Sequence, residues 1–435
     1  MIWMKKIIFR IFLLLTVIVL SFLIYISTIG IKTDKLNNQI TNQIKAFDKN
    51  LDLELRKVSI IFVPLKLKIN LKTIGTNLIF KEKKIQLESI KSTISIKSLF
   101  NNQFSLTNLK ISTKSVDIKN LLSFSRIFKN DAKLYFLEKL IKKGNVIANA
   151  YIEFDEKGKV KDNFKINGFV KNGEIRLPKK YELNKINFEF YFVKQNIEFR
   201  DIDITFNDNK IFSPKLAAKK IKDKFIITGT ANSKKISLKE KQIENLINLD
   251  DSNLKINSAE FTINNNFSFE IDQKYKIKNF VSNFIIDLDN LILKNQYEFV
   301  NFLLKPKKEI KFQKHRVNVS FKKNFVDING SGNILLQKNY DKIEYTLKKT
   351  KKDVKFNIKL NILKNQFDLD ILNYKKKNDT NLEIKFKGKK IFDGITIFEN
   401  ILLKEKLNII QIKNLIITNE NKISKFKRLE LDYND

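Results

Sequence analysis

The stretch SIKSLFNNQFSLTNLKISTKSVDIKNLL, residues 95–122, decides the fold class. After Ile96 its apolar side chains come in pairs two apart: Phe104 and Leu106, Leu109 and Ile111, Val116 and Ile118. The phase slips between pairs. Period two marks strands with one apolar face, and the slips coincide with Asn, Ser, Thr and Lys clusters where turns or bulges belong.

The same pattern extends outward in both directions. Before it stand LDLELRKVSI, LKLKINLK and NLIF, and after it NVIANAYIEFDEKGKVKDNFKINGFVKNGEIRL, in which DEKG and KNG read as turns. INFEFYFVKQNIEFRDIDITF, VNVSFKKNFVDINGSGNILL and VKFNIKLNILKNQFDLDILNY continue it. Two segments read as helices instead: 131–143, with Leu134, Leu137, Leu140 and Ile141 and Gly144 as C-cap, and 238–249. At one strand and turn per 12 to 14 residues the chain holds about 30 strands, a sheet on the order of 140 Å long at about 4.8 Å per strand. Such a sheet cannot lie flat with one apolar face in water. The expected fold is therefore mostly β: a long, curled antiparallel sheet forming a groove, with a few short amphipathic helices.

Residues 7–29, IIFRIFLLLTVIVLSFLIYISTI, are long enough to cross a bilayer as a helix. Their length favours an uncleaved anchor over a signal peptide, whose apolar core runs about 7 to 15 residues. Lys5, Lys6 and Arg10 on its N-terminal side predict a cytoplasmic N-terminus and a single pass, with the bulk of the chain across the membrane. The organisation read from the sequence is a cytoplasmic tail 1–6, the anchor 7–29, an amphipathic helix 33–49 and a β region 51–435. In the helix Leu36, Ile40, Ile44 and Phe47 share one side, and Thr33 or Asp34 is the expected N-cap.

The formal net charge is +36, from 83 Lys and Arg against 47 Asp and Glu. Basic chains of this kind suggest nucleic-acid or acidic-membrane partners. Here the lysines alternate with apolar residues along strands, and Lys, Asn, Ile and Phe are all abundant, the composition of an AT-rich genome. A solvated face explains the charge, so no nucleic-acid partner is expected. There is no cysteine, which excludes disulfides and thiolate metal sites. His315, the one histidine, reads as a turn or strand-edge residue whose cationic neighbours Lys314 and Arg316 disfavour its charged form. Asp201 and Asp203 read as the wet face of a strand, and the GSG at 330–332 as a strand bend. No catalytic, metal or cofactor site is expected.

The anchor, the segment LNNQITNQIKAF, the strand LDLELRKVSIIF and the run IQLESIKSTISIKSLFNNQFSLTNLKISTKSVDIKNLL together resemble the AsmA-like family of envelope proteins, which includes the YhdP and TamB types. FKINGFVKNGEIRLPKKYELNKINFEF and DKFIITGTANSKKISL are similar to a YhdP-type domain. The resemblance divides the β region into an AsmA-like part, 51–143, and a YhdP-like part, 144–435. It implies a bacterial inner-membrane protein whose periplasmic β groove carries phospholipid between inner and outer membranes, with periplasmic or outer-membrane proteins as further partners. The end at LELDYND, without the family's terminal cap or docking element, suggests an incomplete or short member. On the alternation alone, Leu67, Ile69, Phe104, Leu106, Leu109, Ile111, Val116 and Ile118 are the candidate groove lining. The alternative is a non-conducting scaffold for outer-membrane assembly whose apolar face is its own core.

Overall fold

The computed structural model describes residues 2–35, 37–47, 49–80, 83–101, 106–128, 135, 138–176, 182–206, 208–246, 255–272, 276–294, 307–369, 372–377, 379–392, 394–420 and 422–432. The protein is mostly β, and 26 of its strands join in one antiparallel sheet that does not close into a barrel. By internal contacts the chain divides into two units, Met1–Asn207 with Ala217–Lys219, and Asp208–Leu216 with Lys220–Asp435.

The first unit opens with helix α1 (Ile2–Thr28). There follow β1 (Ile31–Thr33), α2 (Asn37–Phe47), β2 (Leu51–Glu54), β3 (Lys57–Val63), β4 (Lys68–Ile74), β5 (Asn77–Phe80) and β6 (Lys83–Ser95). Next come α3 (Ile96–Phe100), β7 (Leu106–Thr113), β8 (Val116–Asp117), α4 (Ile118–Phe128), β9 (Ile141–Glu153), β10 (Lys165–Arg176), β11 (Glu182–Val193) and β12 (Asn196–Phe206). Helix α1 is long and apolar enough to cross a membrane from Trp3 to Thr28. It is already helical at Ile2, so Lys5 and Lys6 lie on the same helix.

Each slip in residues 95–122 has its own backbone cause. Ile96 is not a strand residue; it opens α3. Between Leu106 and Leu109 a bulge makes up the extra residue: Leu106 pairs with Ile94 and Leu109 with Ser92, so three steps on β7 match two on β6 and both leucines share a face. After Val116 the expected strand stops, because Asp117 Oδ1 accepts a hydrogen bond from Asn120 N–H at 3.1 Å and caps α4, which begins at Ile118.

Other departures have similar local reasons. The KNG at 171–173 is a bulge inside β10, with Asn172 at φ 53°, whereas DEKG is the expected turn, closed by Gly158 N–H to Asp155 O at 3.0 Å. Most of 131–137 lies outside the described residues; Glu138, Lys139 and Leu140 are helical as expected, but strand begins at Ile141 and Gly144 sits within β9, so it is no helix cap. Thr33 ends β1, where its hydroxyl accepts from Lys35 N–H at 3.1 Å, and Asp34 offers α2 only its backbone carbonyl, 2.9 Å from Asn37 N. Helix α2 is held by Thr41, which donates to Leu53 O at 3.0 Å. Leu36 and the side chains of Ile44 and Phe47 lie outside the described residues.

The second unit runs β13 (Asn209–Ile221), β14 (Lys224–Ser233), β15 (Ile236–Lys239), α5 (Glu240–Leu246), β16 (Lys255–Ile271), β17 (Ile277–Lys294), β18 (Glu309–Lys322), β19 (Phe325–Leu335), β20 (Tyr340–Lys349) and β21 (Asp353–Ile362). A small separate hairpin, β22 (Asp368–Leu369) and β23 (Tyr374–Lys375), precedes β24 (Leu382–Ile391), β25 (Thr396–Glu405), β26 (Asn408–Ile417), β27 (Ile423–Lys425) and β28 (Arg428–Asp432). Leu238 and Lys239 belong to β15, so the second expected helix starts only at Glu240.

Candidate apolar groove

Cross-strand register decides which side chains share a face. In the first unit Ile111 stands opposite Ile90 and Ala150, Ala150 opposite Ile166, Ile166 opposite Phe192, and Phe192 opposite Ile197. A second row joins Leu106, Ile94, Ile69 and Phe62. These side chains are half-buried, the state of an apolar face without a full cover. One stretch is covered: α4 lies on β9 and β6, and Phe124 packs with Phe80, Ile85, Leu87, Val116 and Val146 in a closed core.

The sequence-expected lining divides accordingly. Ile69, Leu106, Leu109 and Ile111 share the apolar face, while Val116 is in the covered core and Ile118 packs against it from α4. Leu67 does not join them. It ends a 3-10 turn, Pro64–Lys66, at φ 46° and is 53% exposed. Phe104 lies outside the described residues.

In the second unit the same logic yields a better-defined trough, which the sequence reading did not single out. Tyr345 faces Ile358, Ile358 faces Phe386, Phe386 faces Ile401 and Ile401 faces Ile412. The sheet curls so that side chains of β18 to β21, β24 and β25 surround a cavity of about 660 Å³. Apart from Lys390 and Thr396 its lining is apolar, with Leu347, Phe356, Ile358, Leu360, Phe386 and Phe398 at its centre. The signal was present in VKFNIKLNI, where Val354, Phe356, Ile358, Leu360 and Ile362 alternate with polar residues. The outer face is hydrogen-bonded and wet: Thr346 donates to Asn329 at 2.9 Å, and Arg316 makes a fork to Asp287 at 2.7 and 3.0 Å.

At one rim of this trough the inward positions of β20 and β24 are Lys349 and Lys390, both flanking Val354 on β21. Both lysines are at the last inward position before a hairpin turn. At the other rim residues 363–381 fold over the face and close it with Phe367 and Tyr374 against Ile362, Leu382 and Ile384. Glu405 is buried beneath this cap. Burial pushes its carboxyl up, but hydrogen bonds from Thr380, from the Tyr374 hydroxyl at 2.6 Å and from Lys377 N–H at 2.9 Å outweigh that and hold it below the usual carboxylate range. Asp341, also buried, accepts from Asn365 Nδ2 at 2.6 Å and is pushed up by burial.

His315 is neither at a turn nor at an edge. Lys314 at φ 48° bulges β18 and turns His315 onto the inner face, where it is buried, stacked on Tyr345 and seated over Gly332. A Cβ on Gly332 would meet the imidazole Nδ1 at 2.4 Å, so glycine is what makes room. Burial, and not the neighbouring cations, lowers the His315 pKa. The GSG lies within β19, in unbroken register with β20 and opposite the β18 bulge. Asp201 and Asp203 are both exposed on β12, Asp201 at φ 49°. Among the described residues no group of three His, Asp or Glu side chains is placed to hold a metal ion.

No family model, curated protein or solved structure matches this chain.

Proposed function

We propose that this chain is an AsmA-like, membrane-anchored β-groove protein that takes part in phospholipid transport between the inner and outer membranes of a bacterial envelope. The observation that carries the reading is the one-sided trough of the second unit: an apolar cavity of about 660 Å³ open to solvent, backed by a polar outer face. Acyl chains lie on its floor, gaining about 0.8 kcal/mol per CH₂ taken from water, while headgroups stay wet at the rims. Lys349 and Lys390 supply positive charge at one rim for anionic headgroups. The work is binding and sliding, and the mechanism uses no catalytic group. Lys5, Lys6 and Arg10 set the N-terminus in the cytoplasm and the β units in the periplasm.

A specific observation favours a second reading. Helix α4 in the first unit and residues 363–381 in the second cover parts of the inner face with the chain itself, as a scaffold's core would be covered. Photocrosslinking distinguishes the two. A photoreactive residue at Leu106, Leu109 or Ile111 captures phospholipid if the face is a lipid path, and one at Thr107, Lys110 or Asp117 does not. Equal capture at both sets, or none at either, supports the scaffold.

A further inference from the structure

The membrane-facing end of the first unit carries large apolar residues that are exposed, with none of the described residues covering them. Helix α1 ends at Thr28, turns at Gly30 (φ 71°) and enters β1 directly. β1 pairs antiparallel with β3, Ile31 against Ile60 and Thr33 against Val58. β3 therefore runs back toward α1, and its end at Val63 points to the side from which α1 arrives. The turn beyond it presents Leu65, 99% exposed, and Leu67. Lys68 pairs with Ser95, which brings the end of β6 to the same side, and Ile96 N–H donates to Leu67 O at 3.0 Å. Helix α3 follows from that bond and ends in Phe100, 85% exposed. Lys66 and Lys97 accompany these residues.

Exposed leucines occur singly on any surface, but two leucines and a phenylalanine on adjoining tips beside a membrane helix form a patch with an interpretation. The levels agree. From Ile60 to Val63 β3 advances about 10 Å at 3.3 Å per residue, about the span of the three residues from Ile31 back to Thr28. Measured along the strand axis, the Pro64–Lys66 turn thus reaches the last turn of α1.

We infer that the Pro64–Leu67 turn and α3 form a membrane-dipping foot, with Leu65, Leu67 and Phe100 in the acyl boundary and Lys66 and Lys97 at the headgroups of the bilayer that α1 spans. The inference rests on α1 being an uncleaved anchor. Apolar tips with basic neighbours suit the interface, where such groups bury about 5–10 Å deep. The foot also sets the first apolar row, Phe62, Ile69, Ile94 and Leu106, next to the lipid, so that it serves as the loading end of the groove.

The chain has no cysteine, so single cysteines accept an environment-sensitive fluorophore without background. In phosphatidylglycerol/phosphatidylethanolamine nanodiscs holding the full chain, probes at Leu65→Cys and Phe100→Cys should be blue-shifted and quenched by nitroxides placed shallow in the acyl chains. Lys114→Cys, at the opposite end of β7, should report water. Leu20→Cys in α1 should be quenched by deep nitroxides. If Leu20 is deep while the probes at 65 and 100 match Lys114, the foot is refuted and the anchor stands. If Leu20 itself reports water, the anchor reading fails and the foot with it. Protection of 65 and 100 only in native membranes, through crosslinks to a protein, replaces the foot with a partner site. Leu65→Asp with Phe100→Asp, folded by near-UV dichroism, should load lipid from nanodiscs at least threefold more slowly; an unchanged rate refutes the loading role.

Discussion

Ile358→Asp puts one charge on the floor of the trough, and its cost can be worked from the position. Ile358 faces Tyr345 on one neighbouring strand and Phe386 on the other, and it lines the cavity while staying only half-buried. A fully buried isoleucine contributes about 1.5–3 kcal/mol, so a half-buried one loses roughly 1–2 kcal/mol of folding free energy, and the carboxylate can still reach water in the empty trough. An acyl chain lying over the same position removes that water. Desolvating a carboxylate costs several kcal/mol, and even about 3 kcal/mol lowers affinity by roughly 100-fold at 1.4 kcal/mol per decade. The assay is displacement of a fluorescent fatty acid, with urea unfolding in parallel. Asn357→Asp is the comparator, since Asn357 is exposed on the outer face between Thr346 and Lys387. A folded Ile358→Asp protein that binds within threefold of the wild type, or an Asn357→Asp protein equally impaired, would refute the reasoning.

Glu405→Gln replaces one of the two accepting carboxylate oxygens with an amide NH2, so that at least one of three buried hydrogen bonds is lost, and should cost about 1–3 kcal/mol in urea unfolding, with faster hydrogen exchange across 363–381. Because the folded-state pKa of Glu405 is lowered, its contribution is present above the ordinary carboxylate range and is lost as pH falls through that lowered value; the gap between wild type and Glu405→Gln should close over the same interval. Asp341 has the opposite sign, its raised pKa adding stability as pH falls through it, so Asp341→Asn should be more stable relative to wild type at pH 7 than at pH 4. Lys349→Gln with Lys390→Gln should remove the preference for anionic over zwitterionic vesicles, together with its salt dependence, in a flotation assay. A periplasmic phosphatase reporter fused after Asn50 should be active and the mature chain should keep its N-terminal residues; a processed terminus near Ile31 contradicts the anchor.

The alternation and the helix at the N-terminus were legible because both are periodic properties of composition, and they suffice for a two-faced sheet behind a membrane-length helix. What was hidden is where period two is interrupted. Bulges at Asn172, Lys185, Asp201, Asn279 and Lys314 use positive φ at Asn, Asp and Lys, residue types that are everywhere in this chain and so give no local signal. Asp117 capping α4 was concealed by a Val-Asp-Ile triplet that alternates like a strand. Leu67 alternates with Ile69 in the sequence yet stands outside the strand, exposed at the end of a 3-10 turn that Pro64 opens and that resets the phase. The cap at 363–381 alternates like a strand in FDLDIL; much of what it closes on, Leu403, Glu405 and Ile410, lies further along the chain. The trough itself was legible in VKFNIKLNI as alternation, but nothing in that stretch alone sets it apart from the other alternating strands.

The central claim is that the inner face holds lipid and is not merely the protein's own core. Native mass spectrometry of the full chain, extracted from its own membrane in a mild detergent, tests it most directly. The account predicts phospholipid adducts on the wild type that are fewer on Ile358→Asp and unchanged on Asn357→Asp. A wild-type chain that is folded and free of lipid in several detergents would contradict it.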